Sequence, residues 1–174
     1  MKTLRGKGEV VLYLDYDGVL HHEDVWWHWR RGAYINTPGY ALFEHTDLLE
    51  DALSPFPAVR IVLSTSWVRV LRYSRAVKRL SPALRERVIG ATFHTMMNRS
   101  DFEALPRGMQ VLNDVARRKP RRWVALDDDA EGWMPEYRDH LIHCDSVLGL
   151  SAPGVLDALK TRLLHFQHAS NDPQ

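Results

Sequence analysis

Three short segments of the chain are almost uninterruptedly apolar, rich in β-branched residues and closed by polar groups: Val10–Leu14, Val59–Leu63 and residues 123–126. Runs of this length and composition predict strands buried on both faces. Val88–Ala91 and Leu141–His143 carry weaker versions of the same pattern. Between the runs, apolar positions recur at helical spacing. Residues 42–53 precede the second strand, and residues 67–80 follow it, with Pro82 just beyond. Residues 108–118 carry Met109, Val111, Leu112 and Val115 as one stripe, and residues 153–166 close the pattern, with Pro153 suited to a first helical turn. Strands alternating with helices predict a three-layer α/β/α, Rossmann-like domain around a parallel sheet of about five strands. Ligands of such sheets bind beyond the carboxyl ends of the strands.

Acidic residues mark two of those ends. The first strand runs into Asp15-Tyr16-Asp17-Gly18-Val19, and residues two apart on a strand share a face, so Asp15 and Asp17 can look into one site. Gly18 allows a sharp turn immediately afterwards. The third strong strand ends in Asp127-Asp128-Asp129. Asp15, Asp17 and Asp127 at one sheet edge form an oxygen-rich, negative pocket that calls for a hard divalent cation, and magnesium prefers such oxygen ligands. Alone, an Asp-x-Asp-Gly string is equally well explained as turn acids capping the next element. The second strand ends Ser64-Thr65-Ser66-Trp67, hydroxyls and backbone N–H groups leading into a helix, which suits a phosphate as well as an ordinary N-cap. Arg107, before Gly108, or else Lys119, is the candidate cation for phosphate charge.

Composition narrows the setting. The 174 residues, 45% of them hydrophobic, suit one domain over residues 1–168 with a polar tail at 169–174. Lys plus Arg number 23 and Asp plus Glu 22, a formal charge of +1 that provides no global field for nucleic acid or anionic membrane. A single cysteine, Cys144, excludes an intramolecular disulfide. No apolar run nears the roughly 20 residues of a membrane span, and the basic, polar start does not resemble a secretory signal. A soluble, cytoplasmic protein is expected. His140, His143 and Cys144 are a weak candidate for a zinc-type site.

In this order the pieces resemble the four motifs of the haloacid dehalogenase (HAD)-like phosphatases. Asp15 to Val19 looks like the first motif. Thr65 looks like the second, with Ser64 or Ser66 as alternative registers. Arg107-Gly108 resembles the basic third motif, where Lys is commoner, and Leu126-Asp127-Asp128 resembles the acidic fourth. The Leu-Ser-Thr-Ser-Trp and Val-Ala-Leu-Asp-Asp-Asp strings are similar to the HAD branch found with bacterial "Swiss Army Knife" RNA-repair proteins. The resemblance implies that Asp15 attacks phosphorus, that Asp17 serves as general acid and base, and that Thr65 and Arg107 hold phosphoryl oxygens. It implies Mg2+ on Asp15, the Asp17 carbonyl and Asp127, with Asp128 close behind. Gly18, Ser64, Ser66, Trp67 and Lys119 are the further candidates for substrate contact.

Only about 40 residues separate the first strand end from the second, and about 40 more lie between Thr65 and Arg107, too few for a full α/β cap. A flap over residues 20–41 is expected instead, carrying Trp26, Trp27, Trp29, Arg30, Arg31 and Tyr34. Tryptophans beside arginines either pack a flap onto its domain or stack nucleic-acid bases. Two readings therefore stand: a phosphohydrolase acting on a phosphorylated small molecule or a nucleic-acid end, or a binding module for phosphorylated ligands with little turnover. The substrate and the oligomeric state are not encoded in any motif.

Overall fold

The computed structural model describes residues 5–169. Most of the expected tail lies outside the described residues. Strands β1 (Val10–Leu14), β4 (Val59–Leu63), β5 (Val88–Ala91), β6 (Arg122–Asp127) and β7 (Leu141–His143) form a 5-stranded sheet in the order β5-β4-β1-β6-β7. All of its pairings are parallel. Both weak strand candidates of the sequence are present, as the two edges. The central strand β1 is covered on both faces. Leu12 and Leu14 join one core with Leu49, Leu53, Leu159 and Leu163, while Val11 and Tyr13 join another with Val111, Trp123 and Trp133. This is why β1 reads as a continuous apolar run instead of an alternating one.

The first core is roofed by α1 (Thr46–Leu53) and α7 (Val155–His168), the second by α6 (Arg107–Arg118). Where helices were expected, three boundaries differ. Residues 42–45 are a turn, with Phe43 at φ 60, so α1 begins at Thr46. Pro153 lies outside α7, because Gly154 at φ 84 precedes its first turn. The helix expected over residues 67–80 is broken. Arg72, at φ 70 and ψ 155, separates α2 (Trp67–Leu71) from α3 (Tyr73–Val77). Such a backbone region is essentially reserved for glycine and costs about 1–3 kcal/mol in other residues. The segment that continues to β5 holds a further short helix, α4 (Pro82–Arg87), and α5 (Arg99–Glu103) lies between β5 and α6.

The expected flap span contains an antiparallel hairpin, β2 (Val25–His28) and β3 (Gly32–Ile35), in a separate 2-stranded sheet. Its base is tied by Asp24, whose carboxylate accepts from Trp26 Nε1 at 2.6 Å and from Thr37 Oγ1 at 2.7 Å. A second tie joins it to the loop after β7, where Ser146 Oγ donates to Glu23 Oε1 at 3.0 Å. No helix among the described residues is long and apolar enough to cross a membrane.

Replacing Arg72 by Gly relieves the strained backbone without touching either core. The expected outcome is a gain of about 1 kcal/mol, read as a melting temperature about 2–4 °C higher for a domain of this size. A lower melting temperature would mean that the arginine side chain stabilises the fold by more than its backbone costs.

Candidate active site

Register brings the chemistry together. Leu14 is level with Leu63 of β4 and with Leu126 of β6, so the next residues, Asp15, Ser64 and Asp127, emerge side by side at the carboxyl edge. The ladder continues one step beyond the strands, since Asp15 N donates to Leu126 O at 3.1 Å and Ser64 N to Leu14 O at 2.8 Å. Carboxylate oxygens of Asp15, Asp127 and Asp128 lie within 4.8 Å of one another. Asp15 and Asp127 are 2% and 0% exposed, so their charges are largely removed from water. Gly18 closes the turn at φ +67, and a Cβ there would sit 2.2 Å from Asp128 Oδ2. Any side chain at position 18 would therefore push Asp128 out of the group.

One cation faces these acids. Arg107, the first residue of α6, donates from Nη1 to Ser64 O at 2.7 Å and from Nη2 to Asp15 Oδ2 at 3.1 Å, and its Nε lies 3.4 Å from Asp127 Oδ2. Burial opposes the arginine's charge, but Asp15, Asp127, Asp129 and Asp128 outweigh it and keep the group protonated. The acids remain undercompensated. Burial raises the Asp15 carboxyl above its usual range, against Arg107, and Asp17 adds to the rise. Burial and then Asp15 raise Asp127 further. Asp128 is pushed up to about 7 by burial and by Asp15.

Asp127 Oδ1 accepts from Asp129 N at 3.1 Å, but the buried Oδ2 has no hydrogen bond. A buried carboxylate oxygen with no hydrogen bond, beside two more carboxylates, is the donor set of a hard divalent cation, and two positive charges are what three carboxylates facing one arginine lack. These residues fit such an ion. By contrast, the His140, His143 and Cys144 cluster is spent on structure. His140 stacks on Trp123 at 4.0 Å, His143 Nε2 lies 2.8 Å from Asp128 O, and Cys144 is buried with Sγ 3.7 Å from Ile142 O. Among the described residues, the one group of three such ligands is the aspartate set.

Asp17 is held apart from the others. Its Oδ1 accepts from Trp67 Nε1 at 2.7 Å and lies 3.0 Å from His21 Nε2. Phe43 N donates to His21 Nδ1 at 3.2 Å, so Nδ1 is the acceptor and Nε2 carries the hydrogen pointed at Asp17. Ser66 Oγ reaches the other oxygen, Oδ2, at 3.4 Å. Trp67 is wholly buried and forms edge contacts with Tyr16, His21 and Phe43. Trp27 of the hairpin rests on it at 4.8 Å, which ties the flap to the acid.

The hydroxyl registers separate as well. The Thr65 hydroxyl lies beside Asp15, whose carboxyl it helps to lower, and accepts from Trp67 N at 3.4 Å; Ser66 serves Asp17, and Ser64 Oγ is buried without a hydrogen-bond partner. Lys119 is not at the site. It is the left-handed C-cap of α6, its carbonyl accepting from Gly8 N ahead of β1, at the amino ends of the strands. The basic group at the acids is Arg107. His21 was absent from the sequence reading. The signal available was its position four residues after Asp17, which carries no chemistry until Trp67 and Phe43 are known to enclose it.

The acids open into a depression of about 500 Å3 lined by Asp15, Asp17, Glu23, Arg107, Asp128, Asp129, Ala130 and Ser146. Buried carboxylates, a guanidinium and a hydroxyl around an exposed hollow suit the binding and transfer of a phosphoryl group. Comparison with curated proteins returned no match, and comparison with solved structures returned none. Residues 11–155 match the family described as the HAD domain in Swiss Army Knife RNA repair proteins, and the chain belongs to that family of phosphatase-like hydrolase domains.

Proposed function

We propose that the protein is a Mg2+-dependent phosphohydrolase that cleaves a phosphomonoester, with Asp15 as nucleophile. The observation that carries this reading is the approach of the Asp15, Asp127 and Asp128 oxygens to within 4.8 Å of one another, with a buried Asp127 oxygen that makes no hydrogen bond. Asp15, Asp127, Asp128 and the main-chain carbonyl of Asp17 would hold the ion, which, when bound, neutralises phosphoryl charge. The rest is done by the chain. A carboxylate oxygen of Asp15 attacks phosphorus in line, forming a P–O bond as the bond to the leaving oxygen breaks, and water then hydrolyses the aspartyl-phosphate. Arg107 has five N–H donors, of which three are directed at Ser64, Asp15 and Asp127. The other two, with the Thr65 hydroxyl, are available to phosphoryl oxygens.

Asp17 would protonate the leaving oxygen and then take a proton from the attacking water. Two donors converge on its Oδ1, so the proton is directed to Oδ2, the oxygen that faces Ser66. No α/β cap covers the hollow. The hairpin presents Trp26 at 55%, Trp27 at 40% and Trp29 at 81% exposure, with the Arg30 guanidinium 4.2 Å from the Trp29 ring. Aromatic faces beside an open phosphate site suit a substrate with bases, a nucleotide or a polynucleotide end.

Asp15→Asn is expected to abolish magnesium-dependent phosphate release from an aryl phosphate, by at least about 1,000-fold, while the fold survives. Unchanged turnover would remove Asp15 from the mechanism. Binding of phosphorylated nucleotides and oligonucleotides without turnover by the native chain would instead identify a binding module.

Asp128→Asn tests the charge argument. The carboxyl of Asp128 is raised in the fold, so its contribution to stability is present at low pH and is lost as pH rises through about 7. The substitution should therefore stabilise the metal-free protein, increasingly from about pH 4 to about pH 7 and by a constant amount above that. The upper-limit arithmetic is reduced by solvent screening at this partly exposed group to about 1–2 kcal/mol. The same variant should lose most of the rise in melting temperature that magnesium produces in the wild type. A metal-free melting temperature independent of this substitution at pH 8 would refute the undercompensated cluster.

His21→Phe keeps the ring among Phe43 and Trp67 but removes the Nε2–H directed at Asp17. Loss of one hydrogen bond to a charged group predicts a kcat about tenfold lower with KM changed less than twofold. A rise in KM at constant kcat would assign His21 to substrate binding instead.

A further inference from the structure

A second cleft, of about 640 Å3, shares no lining residue with the carboxylate hollow. Ile89, Gly90 and Ala91 of β5 supply its floor, and the end of α6 and the α2–α3 junction supply its walls. Arg5, Arg69, Arg72, Arg117 and Arg118 line it, and no carboxylate does. The nearest acids are already shared. Asp114 pairs with both Arg117 and Arg118, and Glu103 with both Arg69 and Arg99. Among the described residues, the side chains of Arg5 and Arg72 make no hydrogen bond or ion pair, and the charge of Arg5 is felt by the Tyr73 hydroxyl. Burial and the charge of Arg117 hold the His94 imidazole below its usual range.

Two further features shape the cleft. Tyr73 and Phe93 line it together with Val68 and Ala91, and the Phe93 ring is backed by Phe102 at 5.2 Å. Arg72 reaches it from a backbone conformation that arginine rarely adopts, at the break between the two helices. An apolar and aromatic lining beside two exposed guanidinium groups without an ion pair, those of Arg5 and Arg72, matches a ligand that is planar at one end and anionic at the other. The planar guanidinium fork favours phosphate, which it can grip through two N–H groups at once.

We propose that this cleft is a nucleotide-binding site, separate from the carboxylate hollow, in which a base lies against Tyr73 and Phe93 and phosphate is held by Arg72 and Arg5. The site takes either a free nucleotide or one nucleotide unit of a single strand, and it does not depend on phosphoryl transfer. Its size is within the range of about 300–1,000 Å3 typical of small-molecule pockets.

The test is fluorescence anisotropy with the full chain in EDTA, using a short fluorescein-labelled single strand that carries no terminal phosphomonoester. The wild type and Asp15→Asn should bind alike. An Arg5→Ala, Arg72→Gly double variant should bind at least tenfold more weakly. Its log Kd against log salt should be shallower by about 1.4, since each single-strand phosphate contact contributes about 0.7 to the slope. Circular dichroism with melting of the double variant checks that it folds, and Tyr73→Ala, which leaves the arginines in place, should also weaken binding. Competition by a mononucleotide would identify a free-nucleotide site, and competition by oligonucleotides alone a strand site. Equal affinity of the wild type and the double variant would overturn the proposal, as would loss of binding in Asp15→Asn. Equal or tighter binding of an oligoglutamate peptide would also overturn it, by showing a site for anionic chains in general.

Discussion

The site depends on a surplus of negative charge at the end of the central strands. Two parallel pairings set Asp15 and Asp127 level, and the turn at Gly18 leaves room for Asp128 beside them. The apolar strands behind them leave these acids little water, so their mutual repulsion is poorly screened. Arg107 compensates only part of it. Buried like charges that are only partly compensated cost folding stability, and on the proposed reading a bound cation would offset that cost. Stability and chemistry are therefore opposite sides of one electrostatic constraint.

Much of this was legible in the sequence because parallel strands buried on both faces write themselves as continuous apolar runs. Val10–Leu14 and Val59–Leu63 coincide with β1 and β4, and the acids and hydroxyls that follow them are read off directly. Helix boundaries were less legible. The stretch after Trp67 has helical spacing throughout, yet the chain breaks at Arg72, a residue with no local signal for positive φ. The choice between Arg107 and Lys119 could not be made by spacing alone, because each adjoins one end of the same helix, α6. The fold resolves it, since the amino end of that helix faces the acids and its carboxyl end faces away. His21 was invisible for a related reason. Its partners Phe43 and Trp67 are distant in sequence, and its tautomer is set by a backbone N–H that no motif encodes.

Trp67 links the parts that the sequence keeps separate. Its indole N–H holds Asp17, its ring supports His21, and the hairpin tryptophan Trp27 rests against it. The side chain that orients the proposed acid is thus the one on which the flap is seated. This contact couples the seating of the hairpin to the orientation of Asp17. The arrangement around Asp17, with two donors on Oδ1 and Ser66 on Oδ2, follows from the same packing.

The third motif is where the chain departs from the commoner lysine, and the geometry gives a reason. Arg107 reaches three oxygens in diverging directions: the Ser64 carbonyl, Asp15 Oδ2 and Asp127 Oδ2. A lysine ammonium is a single point on a flexible stem and cannot span the strand end of β4 and both carboxylates together. The planar fork can, and α6 aims it from its first residue. The arginine therefore acts as a brace between the strand ends as well as a counter-charge, with its guanidinium fixed in orientation. Residues already locked in place can position a ligand without having to be assembled around it. Arg107 supplies that positioning at the cost of the adaptability a lysine would bring.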